Sequence, residues 1–381
     1  MKKIGHIVSD EKFIDAAYLS FASTALPVEH TYYCLTDRKE VKYIKTAKVE
    51  IVSFKYANSK EFAMLLSSYD LLIFHNLYEK EKRKIVLNVD ANVKIWWIGW
   101  GVDYYHFIKG SYSNLFKPET LRFIKHQYRY GQLVHQLYKT LKNSFLFSRT
   151  YRHNYLAKID YFSPVISDIE FDLVAGNNLN FKAKKIDWNY GVLLNKDLSK
   201  TKPVSYDVIV GNSAATTNNH ADVLKLLSFI LDSRNIIVPL SYGGNDAYKS
   251  FVMENASKYV KTKFTPLIDY MSLTDFNNII QNAGFAIFNS IRQQAYGNIN
   301  FLLSRGVKVF LDARNPIYLY LTQHGVKVFT IDEIDAVSIN TPLSDIEAKH
   351  NFNIIHQLIG DKRIREKTVQ ALIEILKGEA T

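Results

Sequence analysis

Short unbroken apolar runs alternate with helical periodicities along this chain. Lys3–Val8 reads as a strand and Lys12–Ser23 as a helix. Thr31–Leu35, Val49–Val52, Leu71–Phe74 and Val93–Ile98 follow as strands, with Ser59–Tyr69 helical among them. Strands without polar alternation have no solvent side, which is the mark of a parallel sheet covered on both faces. The pattern recurs in the second half, with strands at Asp207–Val210, Asn235–Val238, Phe285–Phe288, Val307–Leu311 and Val326–Phe329. Helices are expected at Ala221–Leu231, Ala247–Ala256, Phe276–Ala283 (capped by Thr274-Asp275), Ile299–Ser304 and from Asn315-Pro316 to His324-Gly325. Capping residues open these helices and Gly306 and Gly325 close two of them, so periodicity and punctuation agree. The expected fold class is α/β, with two facing Rossmann-like domains over 1–195 and 203–345 and C-terminal helices over 346–381. The boundary falls in the Lys-rich stretch Lys182–Val204.

Composition narrows the setting. A hydrophobic fraction of 47% is ample for two packed cores. The single cysteine, Cys34, excludes a disulfide within the chain, which fits a reducing compartment, and it reads as a small buried hydrophobe. The apolar run at the N-terminus is too short for a secretory leader and is followed at once by Asp10-Glu11, so it is read as a first strand and the chain as not exported. No run reaches the ~18 apolar residues of a spanning helix. The net charge of +11 calls for an anionic partner, whether nucleic acid, lipid headgroup or nucleotide. Between Thr120 and Ile159 there are eight basic residues, Arg122, Lys125 and Arg129 among them, and no Asp or Glu. Aromatic residues interleave them. Such a stretch suits an anionic membrane surface, and a solvated basic face is the plainer alternative.

Ligands of open α/β sheets bind beyond the carboxyl ends of the strands, so the post-strand loops hold the candidate chemistry. Gly211-Asn212-Ser213, with His220 near the start of the next helix, offers close backbone approach and a helix N-terminus suited to a diphosphate. An ordinary strand-to-helix loop has the same ingredients. Tyr242, Gly243-Gly244 and Asn245 follow the next strand. Arg292 is a bidentate phosphate ligand by type, and Gln293 and Gln294 are multi-point hydrogen bonders for hydroxyls or a base edge. Gly297-Asn298 opens another helix. Arg314, beside Asn315, is a second phosphate clamp or a surface arginine. In the first half, His75 and Asp103 follow strands. Asp103 sits among aromatics, where desolvation raises a carboxyl toward the range of a general base. There is no D-x-D spacing, no H-E-x-x-H and no paired cysteine, so no metal is indicated.

Together these loops resemble the bacterial 4-acetamidofucosyl transferases of enterobacterial common antigen synthesis. The resemblance rests on His6-Ile7-Val8-Ser9-Asp10, Phe74-His75, Trp97–Tyr105, Val210–Ser213 with Asn218–His220, Val238–Tyr242 with Asn245 and Ala247-Tyr248, Arg292–Gln294 with Gly297, and Arg314–Pro316. It implies a glycosyltransferase of GT-B type, without cofactor or nucleic-acid partner. The implied donor is TDP-4-acetamido-4,6-dideoxygalactose and the implied acceptor a polyprenyl-diphosphate-linked saccharide. The implied location is the cytoplasmic face of the inner membrane, as a peripheral protein. Gly211, Asn212, Ser213 and His220 would line the diphosphate, and Arg292 and Arg314 would stabilise its leaving charge. Gln293, Gln294, Tyr242, Asn245 and Tyr248 would orient sugar or base. Asp103, then His75, would be the base if the reaction needs one. The first motif is one residue shorter than the family's, the Gly243-Gly244 region is shortened, and Thr120–Ile159 and the C-terminal helices match poorly. A nucleotide-sugar epimerase of similar two-domain fold and a basic nucleic-acid-binding protein are the competing readings.

Overall fold

The computed structural model describes residues 1–11, 13–108, 113–127, 154–191, 203–230 and 233–377. The chain divides into two compact units, one of Met1–Lys109, Thr140–Gly191 and Asp361–Thr381, the other of Gly110–Lys139 and Val192–Gly360. The units are therefore interleaved along the chain, whereas the sequence reading drew one boundary within Lys182–Val204. Two helices account for the difference. The helix Pro118–Gln127 anchors in the second unit, where Asp222 accepts from the Glu119 and Thr120 amides at 2.9 and 3.2 Å. The helix Asp361–Lys377 buries Ala371, Leu372 and Ile375 against Phe21, Trp96 and Trp188 of the first unit.

The first unit carries a parallel sheet of β1 (Lys2–Val8), β2 (Val28–Leu35), β3 (Glu50–Val52), β4 (Leu71–His75), β5 (Lys94–Ile98), β6 (Tyr161–Ser163) and β7 (Lys184–Lys185), in the order β3-β2-β1-β4-β5-β6-β7. The pleat sends alternate residues to two cores. Leu72, Phe74 and Trp97 join one, and Leu71, Ile73 and Trp96 the other. Both faces being covered is why β4 and β5 read as unbroken apolar runs.

The second unit repeats the plan with β8 (Val208–Val210), β9 (Ile236–Pro239), β10 (Phe264–Leu267), β11 (Phe285–Phe288), β12 (Lys308–Leu311) and β13 (Phe329–Thr330), in the order β10-β9-β8-β11-β12-β13. Helices His220–Leu227, Asp246–Tyr259, Leu273–Ile280, Tyr296–Leu303 and Pro316–Gln323 connect these strands. Ser272, not Thr274-Asp275, caps the third of them, its hydroxyl accepting from the Asp275 amide. In both sheets the strand order reverses beside the first strand, between β1 and β4 and between β8 and β11. Such a reversal leaves a crevice at the carboxyl ends of two neighbouring strands.

Candidate active site

Loops from three strands converge at the reversal in the second sheet. After β8, Gly211 donates its amide to Ile287 of β11 at 2.9 Å and turns with φ +71°. A Cβ at Gly211 would lie 2.6 Å from His220 Nε2. The next residue, Asn212, donates to the Tyr242 hydroxyl after β9 (3.1 Å) and accepts from Gln294 Nε2 after β11 (2.9 Å). Thr217 donates to Gln294 Oε1 at 2.6 Å. The three loops read separately from the sequence are thus one hydrogen-bonded network.

Two helices begin here. Their N-caps, Asn219 and Ala295, are both left-handed, at φ +52° and +65°. Asparagine tolerates that conformation, but alanine is strained in it, and strain of this kind persists where surrounding structure enforces it. Asn219 ties the site together, its amide donating to the Asn289 carbonyl at 3.0 Å. Gly297 and Asn298 occupy the first turn of the second helix. First-turn N–H groups lack intrahelical partners and carry the positive end of the helix dipole, so the crevice presents two anion-seeking ends side by side.

His220 is fully buried and meets the Tyr248 hydroxyl through Nδ1 at 3.1 Å. Burial pulls its pKa down to about 3, so the ring is neutral. Its Nε2 and the side-chain oxygens of Asn218 and Asn289 are buried polar atoms without a hydrogen-bond partner in the protein. Such atoms ask for a ligand or water. Ser213 Oγ accepts from Asn218 at 3.2 Å.

Other expected donor residues do different work. Tyr248 is enclosed and braces His220. Asn245 caps its helix by accepting from the Tyr248 amide at 2.9 Å. Gly243-Gly244 is spent on packing the β9 loop onto the β8 loop, because a Cβ at Gly244 would lie 2.0 Å from the Ala214 carbonyl oxygen. Asn315 is wholly buried and donates to the Ser290 and Arg292 carbonyls at 2.7 and 3.0 Å, fixing the loop that carries Arg292. Gln293 is buried in the same loop, and Arg292 donates to its carbonyl at 2.9 Å. Arg314 is engaged by Asp312 at 2.9 and 3.0 Å. Burial would push that carboxyl up, but hydrogen bonds from Arg314 and Lys117 outweigh it and hold it at about 2. Of the two expected clamps, Arg292 lies in the convergent loops and Arg314 is committed to a neighbouring carboxylate.

Residues 174–354 match the family of 4-alpha-L-fucosyltransferases, glycosyl transferase group 56. The chain is a glycosyltransferase, similar to group 56 over that stretch. The match bears out the resemblance seen in the loops. The glycosyltransferase from Rickettsia africae ESF-5 is similar in structure, at TM-score 0.63 and 13% identity over 99% of both chains. Anabaena HepE in complex with UDP-glucose superposes at TM-score 0.61 and 12% identity over 98% of this chain and 100% of that one. Sucrose-phosphate synthase from Thermosynechococcus elongatus does so at 0.66 and 10% over the full length of both. At these identities the likeness speaks for the fold, which is GT-B.

In the first unit of this glycosyltransferase, neither expected base is open to a substrate. Asp103 is fully buried and accepts from the Trp100 amide (2.8 Å), Trp97 Nε1 (2.8 Å) and the Leu77 amide (3.0 Å). Burial raises its pKa, as expected, but the carboxylate is used to pin two post-strand loops. His75 is also buried, with Nε2 on His6 Nδ1 at 3.0 Å and Nδ1 on the Tyr190 hydroxyl at 2.8 Å. Trp100 Nε1 donates to that hydroxyl at 2.7 Å, and His6 Nε2 meets His30 Nδ1 at 2.9 Å. An indole can only donate, so the Tyr190 oxygen accepts from Trp100, and the three imidazoles continue from it as one buried hydrogen-bonded chain. Burial lowers all three imidazoles, His30 to about 4 and His75 to about 3.

The sequence reading missed Glu79 and gave no role to Ser9. Ser9 follows β1, Glu79 follows β4, and Ser9 Oγ donates to Glu79 Oε1 at 2.6 Å. Of the expected membrane residues, Arg122 and Lys125 are exposed on the helix Pro118–Gln127, with Arg122 bound to Glu119 at 2.8 Å. Arg129 lies outside the described residues. Phe123 faces inward, stacked on Phe251 with ring centroids 4.5 Å apart. Among the described residues no cluster of three or more His, Cys, Asp or Glu is arranged to hold a metal, and no helix is long and apolar enough to cross a membrane.

Proposed function

We propose that this glycosyltransferase moves an acetamido-deoxy sugar from TDP-4-acetamido-4,6-dideoxygalactose to a polyprenyl-diphosphate-linked saccharide in the assembly of a bacterial surface polysaccharide. The reaction runs without a metal, at the cytoplasmic face of the inner membrane. The observation that carries the reading is the pair of helix N-termini, His220–Leu227 and Tyr296–Leu303, opening side by side at the reversal between β8 and β11. A diphosphate seated there meets oriented amides and the helix dipoles, with Gly211 allowing close backbone approach. Arg292, in the same loops, supplies the full positive charge for the leaving diphosphate, where preorganised electrostatics contributes most. The neutral His220, Asn218 and Asn289 offer hydrogen bonds without adding charge. The fucosyl activity of the matched family supports a 6-deoxyhexosyl donor, and the UDP-glucose bound by HepE supports a nucleotide sugar.

The test is a thermal-shift series with TDP, UDP and GDP and their sugars, followed by transfer to the lipid-linked disaccharide in excess EDTA. TDP and its sugar should raise the melting temperature most, because a ligand of the folded state alone stabilises it. Transfer should need the acceptor and survive EDTA. Conversion of donor without acceptor would favour the epimerase reading, and no stabilisation by any nucleoside diphosphate would overturn the site.

A further inference from the structure

The first unit has a basic surface of its own, carried by a loop whose backbone is fixed. Loop 36–49 joins β2 to β3 at the carboxyl edge of the first sheet, the edge where the crevice between β1 and β4 opens. Two carboxylates hold it. Asp10 accepts from the consecutive amides of Lys42, Tyr43 and Ile44 at 2.6, 2.8 and 3.2 Å. Asp15 accepts from the next three, Lys45, Thr46 and Ala47, at 2.8, 2.9 and 2.8 Å. The apolar side chains face the same way as these amides. Ile44 is buried with Val8, Ile14 and Cys34, and Val41, Ala47 and Val49 pack against that cluster.

With its amides and apolar groups turned inward, the loop turns its charges outward. Arg38, Lys39, Lys42, Lys45 and Lys48 are all exposed, against one exposed acid, Glu40, in the same run. Asp37, just before them, is committed to the Phe54 amide at 2.9 Å. Among the described residues Lys39, Lys45 and Lys48 have no ion-pair partner, whereas Arg122 in the other basic stretch is bound to Glu119 at 2.8 Å. Ammonium groups crowded on a fixed backbone repel one another and cannot spread apart, and an anionic surface relieves that repulsion. Because the backbone is already ordered, docking has only side-chain ends left to immobilise. A single phosphate meets one or two such ends, while a bilayer of anionic headgroups is extended and meets several at once.

We propose that loop 36–49 docks the first unit on an anionic bilayer, with Lys39, Lys45 and Lys48 over the lipid headgroups and Asp10 and Asp15 as the residues that hold the loop in shape. The assignment deepens the proposed function and rests on that reading for its purpose. Docking by this edge brings the crevice between β1 and β4 to the membrane surface, where a saccharide on a prenyl chain is displayed.

The test is flotation of the full chain with vesicles of phosphatidylcholine alone and of phosphatidylcholine with phosphatidylglycerol. Wild type should float with the anionic vesicles and stay behind with the neutral ones. Lys39→Glu, Lys45→Glu and Lys48→Glu together should weaken that partition about 100-fold, roughly fivefold for each lysine. The variant should melt where wild type does, because none of the three has an ion-pair partner to lose. The same three positions changed to Gln remove attraction without adding repulsion, which keeps the test open if the Glu variant folds poorly. Reversal of the exposed Lys261, Lys263 and Lys349 in the second unit controls for net charge and should leave the partition within about threefold of wild type. Transfer to a water-soluble acceptor analogue should be unchanged in the loop variants, while transfer to acceptor held in anionic vesicles should fall with the partition. Equal recovery of the loop variants and wild type, or an equal loss in the control, overturns the inference alone. Aggregation of the loop variants with flotation intact also overturns it, and assigns the lysines to guarding the edge strand β3. A wild type that floats as expected but neither binds TDP nor transfers overturns the proposed function and leaves the docking surface in place.

Discussion

The Nε2 of His220 points at the Cα of Gly211, so close that a methyl group there would be 2.6 Å away. Tyr248 holds the other side of the ring at 3.1 Å. The loop after β8 is therefore shaped around a buried histidine that Tyr248 braces.

Gly211→Ala is expected to weaken TDP binding at least tenfold and to destabilise the protein by about 1–3 kcal/mol, since φ +71° strains an L-residue and the new Cβ meets the imidazole. Calorimetric titration and urea unfolding measure the two effects. A variant that binds TDP normally would mean the backbone of this loop does not approach the donor.

Arg292→Ala is expected to lower kcat by about 10²–10³-fold with unchanged melting, the usual scale for losing one electrostatic stabiliser of a leaving charge. Arg314→Ala should act differently. It leaves Asp312, which is 4% exposed on its side chain, with Lys117 as its remaining cation, and so should cost stability more than turnover. Steady-state kinetics beside differential scanning calorimetry separates the two, and equal kinetic loss in both variants would return Arg314 to the site.

Stability should fall on acidification from about pH 6.5. Burial holds His30 at about 4 and His75 and His220 at about 3, with His6 also lowered. Their unfolded value is about 6.5. Below that pH the unfolded chain binds protons that the folded chain refuses, so this stability is complete above 6.5 and lost as pH falls toward 4 and then 3. Each histidine contributes a slope of up to about 1.4 kcal/mol per pH unit. Urea midpoints at pH 7, 6 and 5 test this, and a flat profile would mean that the buried imidazoles find protonated alternatives.

Reversing Arg122 and Lys125 to Glu should reduce flotation with anionic vesicles at moderate salt. Each basic residue near such a surface is worth about 1 kcal/mol. Equal recovery of variant and wild type would assign these residues to solvation alone.

The convergent loops were legible because each is a polar interruption straight after an apolar strand. β10 was not, since Pro266 and half-exposed neighbours disguise an edge strand whose ladder partner is β9 alone. Asp103 shows the limit differently: its desolvation follows from the local aromatics, but one of its donors is the amide of Leu77, brought near only by the pairing of β4 with β5. Glu79 and Lys82 sit in the run Glu79-Lys80-Glu81-Lys82-Arg83-Lys84, which reads as solvated charge. Only the parallel pairing of β1 with β4 sets Ser9 between them.

The helix Asp361–Lys377 also bears on the order of events at the ribosome. Thr368 accepts from Trp188 Nε1 at 2.8 Å and Lys367 pairs with Asp187 at 2.8 Å, so the first unit takes its closing layer from residues translated after the whole second sheet. During synthesis the second unit can complete its fold while the indoles of Trp96 and Trp188 still lack their cover. The nascent chain therefore carries an open aromatic face until this helix emerges, and its yield in the cell should depend on chaperone capacity more than its final stability would indicate.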